Sequence, residues 1–116
     1  MGSSFEDLEV WKKACRLSVD VYRQLKDVRD YGIKDQMCRA SVSIASNIAE
    51  GSERKSKADF VRFLRISMGS AAELRTQIYI ACEIELIPKE ISKEFIERTK
   101  SISQMLQALI RSLESR

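Results

Sequence analysis

The chain has no histidine. That removes Ser-His-Asp and Cys-His nucleophile systems, zinc proteases of the HExxH type and His/Cys zinc deaminases. Carboxylate-bridged di-iron bundles go with them, because they need Glu-x-x-His pairs. The three cysteines, Cys15, Cys38 and Cys82, are odd in number, have no CxxC spacing and sit among apolar neighbours in separate segments. They read as buried free thiols in a reducing compartment, which places the protein in the cytoplasm. Carboxylates are plentiful, yet nothing pairs a nucleophile with a base. The expectation is a protein that is not an enzyme, with no cofactor, no metal and no small-molecule substrate.

Charge is the other source of chemistry. The formal net charge is +3, and it is not spread evenly. Residues 1–28 and residues 83–116 are each balanced, while residues 29–82 hold nine basic against six acidic side chains. Arg54, Lys55 and Lys57 cluster in one connection, with Arg62 and Arg65 one and two turns further on. Composition alone fits a solvated loop. The sharper reading is a patch for phosphate backbones, RNA or DNA, repeated once per subunit of an assembly. No helix-turn-helix or zinc-finger spacing and no basic platform interleaved with aromatics is present, so readout of particular bases is not expected.

The elements that position these residues are helices. In 116 residues there are four Gly and one Pro, too little turn punctuation for many short strands. Apolar residues make up 44% and charged residues 32%, the balance of an ordinary globular chain with one domain's worth of core. The longest charge-free stretches, Ala40–Ala49 and Ser101–Ile110, are ten residues each. A membrane span needs about 20, so none is expected.

Helix one is predicted over about 6–28 from the arc of Val10, Trp11, Ala14, Leu17, Val21, Leu25 and Val28, with Ser4 and Asp7 as its capping box. Asp27–Lys34 is the turn. Helix two follows over about 34–50, with Gly51 at its C′ position. Small or apolar residues cover most of its surface and leave one polar wedge, Gln36, Arg39, Ser43, Asn47 and Glu50, so it is buried on more than one side. Helix three, over about 57–87, starts at a Ser56/Asp59 capping box. Its first stripe includes Phe60, Phe63, Leu64, Ser67, Ala71, Leu74 and Ile78, and serves the core. A second stripe, Val61, Met68, Ala72, Tyr79 and Leu86, asks for another partner. Gly69 costs about 1 kcal/mol in mid-helix and is read as allowing close helix approach. Helix four spans about 88–114, with Pro88 at N1. Four long helices with short connections make an antiparallel up-down-up-down four-helix bundle over residues 1–116. The second stripe and the charge-poor helix two predict a homo-oligomer, because so large an apolar patch is rare on a monomer; the alternative is that the extra stripes pack inside a thick monomer core.

Several stretches resemble a known family: Tyr31-Gly32-Ile33-Lys34-Asp35-Gln36, Arg39-Ala40-Ser41-Val42-Ser43-Ile44 and Ser46-Asn47-Ile48-Ala49-Glu50-Gly51-Ser52-Glu53-Arg54. Phe5, Asp7–Trp11 and Phe63–Leu74 extend the likeness to roughly residues 5–113. The chain is similar to the small bacterial four-helix-bundle proteins named for the open reading frame in 23S ribosomal RNA intervening sequences. It departs from most members at Ala45, where they have Pro. The resemblance implies a homopentameric ring with a central channel. It also implies kinship with the accessory variability protein of diversity-generating retroelements, which binds nucleic acid and a reverse transcriptase through a basic surface. No catalytic residue is carried over. Asn47, Glu50, Gly51, Arg54, Gly69, Ser70 and Glu73 match the family's motif positions, read as polar contacts and close packing between helices two and three. The function expected is a non-enzymatic oligomeric scaffold binding RNA or DNA, as a ribonucleoprotein or reverse-transcriptase accessory; the alternative is a homopentameric protein–protein adaptor with no nucleic-acid role.

Overall fold

The computed structural model describes residues 4–116. Met1–Ser3 lie outside the described residues. A short 3-10 turn, Phe5–Asp7, leads into four α-helices: α1 Glu9–Gln24, α2 Tyr31–Ser52, α3 Lys57–Glu83 and α4 Lys89–Glu114. The described chain is all-α, 45 Å long and 19 Å across. α1 packs on α2 and α4, α2 on α3, and α3 on α4, which closes the four helices around a shared core. Leu17, Ile44, Ile48, Leu64, Leu74, Ile78, Leu106 and Ile110 are wholly buried there.

The helix ends differ from the sequence expectation, each for a local reason. α1 starts at Glu9 because the Ser4 hydroxyl accepts from the Glu6 N–H at 3.1 Å and caps the 3-10 turn instead. Leu8 is extended, and Phe5 folds back edge-on to Trp11 with ring centroids 5.2 Å apart. α1 stops at Gln24, leaving Val28 in the connection. Asp30 then caps α2 by accepting from the Ile33 N–H, so α2 begins at Tyr31 inside the expected turn. α2 runs through Gly51 to Ser52, and no glycine among the described residues has a positive φ, so Gly51 is not a C′ residue. α3 starts at Lys57, with the Asp59 N–H donating to the Ser56 hydroxyl at 3.1 Å. It ends at Glu83 rather than 87. Glu85 takes φ 65°, and the Leu86 and Glu85 N–H groups donate to the Ala81 and Cys82 carbonyls, a Schellman stop built without glycine. Pro88 precedes the first turn of α4 rather than entering it.

α2 owes its fit to small side chains. Ala40, Ser41, Ala45 and Gly51 are all buried, so its neighbours approach closely. Every buried hydroxyl along it is satisfied. Ser41 bonds Ser18 of α1 at 2.9 Å and donates to the Cys38 carbonyl at 2.8 Å. Ser67 of α3 donates to the Ile44 carbonyl at 2.7 Å. A hydroxyl buried without a partner costs about 1–3 kcal/mol, so this pairing is what makes a serine-rich helix tolerable in a core.

Candidate functional site

Three surfaces could carry function: the α2–α3 seam, the basic end of the molecule, and the uncovered apolar area.

In the seam, Asn47 donates through Nδ2 to the Ser43 carbonyl at 2.8 Å and to its hydroxyl at 2.9 Å. Ser43 in turn bonds Ser70 of α3 at 2.8 Å. Ser43 is therefore the link between the two motif residues, Asn47 and Ser70. Glu50 and Glu73 are exposed, and Glu50 pairs with Arg54 at 2.9 Å. The close approach lies at Gly51, where an added Cβ would stand 2.7 Å from Phe63 Cβ and 3.2 Å from the Phe60 carbonyl oxygen. Gly69, expected to be such a point, has nothing within 4 Å of an added Cβ in the chain itself.

The basic end is formed by the α2–α3 connection, the first turns of α3 and the last turn of α4. Arg54, Lys55, Lys57, Arg62 and Arg65 do come together there, all exposed. Four of the five are engaged. Arg54 pairs with Glu50, Arg62 with Asp59 at 3.8 Å and Arg65 with Glu114 at 3.3 Å, while Lys57 donates to the Arg116 main-chain oxygen at 2.9 Å. Arg54 and Arg62 also lie 4.8 and 4.6 Å from the centre of the Phe63 ring, which fixes both guanidinium groups at the mouth of the seam. Lys55 has no carboxylate partner among the described residues. Exposed pairs of this kind are worth about 0–1 kcal/mol each, so a phosphate oxygen can displace the carboxylates at small cost.

The uncovered apolar area is not where the second stripe of helix three places it. Val61 is only 9% exposed, in the chain's own core, and Leu86 lies beyond the helix. Met68 is half-buried, and Ala72 is exposed but small. Tyr79 alone of the five offers a large exposed side chain. Two other surfaces expose apolar side chains. One is a groove of about 410 Å³ between α1 and α2, lined by Phe5, Trp11, Cys15 and Val19 on one side and Val42, Ala45 and Ala49 on the other. The second is the outer edge of α3, where Ile66, Ile80 and Ile84 stand 42%, 48% and 52% exposed. Their spacings of 14 and 18 residues return them to within about 40° on a helical wheel, the signal that could have found them.

Elsewhere, Arg98 of α4 holds Asp20 of α1 at 2.9 Å and Glu94 at 3.2 Å, clamping the α1–α4 side. Burial pushes the Cys15 and Cys38 thiols above their ordinary range. No group of three or more His, Cys, Asp or Glu side chains gathers among the described residues to hold a metal ion. Among the described residues no helix is long and apolar enough to cross a membrane.

Comparison with known proteins accords with this architecture. A solved structure of a protein of unknown function from Bacteroides thetaiotaomicron, from the S23 ribosomal protein family, superposes with a TM-score of 0.82 at 25% identity, covering 87% of this chain and 97% of that one. The search of curated proteins finds no match. The family model for the 23S rRNA-intervening sequence protein matches residues 6–108. The chain belongs to the 23S rRNA-intervening sequence protein family.

Proposed function

We propose that this protein is a non-enzymatic scaffold of the bacterial cytoplasm: an up-down-up-down bundle that assembles into a homopentameric ring and binds RNA or DNA through its basic end, as a ribonucleoprotein component or an accessory to a reverse transcriptase. The observation that carries the reading is the grouping of Arg54, Lys55, Lys57, Arg62 and Arg65 at one end; none of them lines the α1–α2 groove, and Ile66 of the isoleucine edge stands one turn beyond Arg62 on the same face of α3. Assembly and phosphate binding then use different side chains. The groove on α1–α2 and the isoleucine edge of α3 are different surfaces, so contact between copies is heterologous, and a heterologous contact that closes makes a ring. Faces of a four-helix bundle that share a corner helix are turned by about 90°, which favours closure after about four or five copies. The family resemblance sets the number at five. A ring presents several basic ends to one strand and gains through effective concentration.

The test has two arms. Sedimentation equilibrium should give a species near five chains; Ile80→Asp and Val42→Asp should each disperse it, and their mixture should stop at small oligomers. In parallel, salt-titrated fluorescence anisotropy with labelled RNA and DNA should show sequence-tolerant binding, with a slope of about −0.9 per phosphate on duplex DNA and about −0.7 on single strands. Reversal of Arg54, Lys55 and Lys57 to Glu should abolish that binding at moderate salt and leave the oligomer intact. Failure of the wild type to bind at low salt would refute the nucleic-acid role and leave the protein–protein adaptor.

A further inference from the structure

Folding sets a second cationic surface, carried by one helix, against an exposed aromatic ring of another. Lys89, Lys93 and Lys100 stand on the edge of α4 that faces α3, within about 40° of one another on the helical wheel. Across from them stands Tyr79 of α3, 54% exposed. Between the two helices lies a groove of about 430 Å³, lined by these four side chains and floored by Cys82 and Ile96. None of the three ammonium groups has a carboxylate within 4.0 Å among the described residues, although Glu83 and Glu97 stand at the rim.

We infer that this α3–α4 groove is a single-strand track, in which an unstacked nucleobase lies on the Tyr79 ring and the flanking phosphates meet Lys89, Lys93 and Lys100. The inference rests on the nucleic-acid reading above and names the class of strand. An aromatic face amid cations is the arrangement that takes single strands without regard to sequence, because every base has a π-face. A duplex hides those faces, so Tyr79 has nothing to offer it. The only hydroxyl besides that of Tyr79, on Ser92, already donates to the Pro88 carbonyl, which leaves little to read a base edge.

Charge argues against Tyr79 as a contact between copies. Lysine is depleted from protein interfaces, and burying three unpaired ammonium groups around one ring is costly. The isoleucine edge of α3 carries no such burden. The groove also lies on the same side of α3 as Arg65, the residue that reaches Glu114 on α4. Fourteen residues separate Arg65 from Tyr79, a rise of about 21 Å, the length of about six stacked nucleotides. One strand can therefore run from the basic end to the tyrosine.

The experiment compares wild type, Tyr79→Ala, Tyr79→Phe and the Lys93→Gln/Lys100→Gln double variant, using a labelled oligouridylate and a labelled RNA duplex of equal length. Light scattering gives oligomer size and circular dichroism the fold of each variant. Tyr79→Ala should weaken single-strand binding roughly 5- to 150-fold and leave the duplex and the oligomer unchanged. Tyr79→Phe should keep the wild-type affinity. The double lysine variant should bind more weakly with a shallower salt slope. Equal single-strand binding by wild type and Tyr79→Ala would overturn the inference while leaving the basic end in place. So would loss by Tyr79→Phe as large as by alanine, or a change of oligomer size in Tyr79→Ala, which would make the residue an interface. A wild type that binds neither probe overturns this inference and the nucleic-acid reading together.

Discussion

Gly51→Ala sets two well-known effects of opposite sign against each other, and the geometry decides between them. Replacing a helix-interior glycine by alanine stabilises by about 1 kcal/mol when the methyl group has room. Here it has none. The new Cβ would meet Phe63 Cβ at 2.7 Å, Phe60 Cδ1 at 3.0 Å and the Phe60 carbonyl oxygen at 3.2 Å. The Phe60 ring can turn aside. Phe63 Cβ and the Phe60 carbonyl belong to the α3 backbone or are one bond from it, so the clash is relieved only by separating α2 from α3. Overfilling of this kind costs about 1–3 kcal/mol. Subtracting the gain in helix propensity leaves a net loss of about 0–2 kcal/mol. For a chain of this size that lowers the Tm by up to about 8 °C. Thermal unfolding followed by circular dichroism reads the shift directly. The separation also spreads Phe63 of α3 from Arg54, just beyond the end of α2, so nucleic-acid affinity should fall with the Tm although no charge has changed. A Tm above that of the wild type would show that α2 and α3 are not in contact at Gly51, and the reasoning would be wrong.

Gly69→Ala should do the opposite, raising the Tm by about 4 °C, since its methyl group meets nothing in the chain. A fall accompanied by dissociation on sedimentation would mean that another copy closes on α3 at that point. Glu85→Gly should stabilise by about 0.5–1 kcal/mol: it removes the roughly 1–2 kcal/mol cost of a side chain at φ 65°, less the extra freedom glycine has when unfolded, and denaturant titration measures it. A destabilised glycine variant would show that the Glu85 side chain makes a contact worth more than the strain. Burial raises the Cys15 and Cys38 thiols, so both should react with a disulfide reagent more slowly in the folded than in the urea-unfolded protein. The linkage has one sign. Their contribution to stability is whole below the ordinary thiol range, near pH 8.5, and is lost as pH rises from there through the raised values. Equal reaction rates folded and unfolded would contradict the burial.

Local pattern carried much of the architecture. The Ser56/Asp59 signal placed the start of α3, and the spacing of Phe60, Leu64, Ala71, Leu74 and Ile78 marked the face that the core covers. The same kind of signal failed at Ser4, because a hydroxyl that can cap an α-helix caps a 3-10 turn equally well, and the packing of Phe5 on Trp11 decides which forms. It failed again at Glu85, since nothing in the residue type announces a left-handed stop where glycine is usual.

The two glycines show the deeper limit. Periodicity places Gly51 and Gly69 on helix faces but does not say which face a neighbour approaches, and the structure assigns the tight contact to the one that sequence had placed outside a helix. The same limit governs the site. Arg54, Lys55 and Lys57 are adjacent in the chain and could be read as a cluster at once. Tyr79 and its lysines stand on two helices joined through a turn that periodicity had missed, so no window along the chain holds them together. Ending α3 at Glu83 rather than four residues later sets the point at which α4 begins. That stop therefore determines where Lys89, Lys93 and Lys100 lie along Tyr79. The strained residue and the groove are physically one feature: a longer α3 would carry α4 past the tyrosine and separate the cations from the ring.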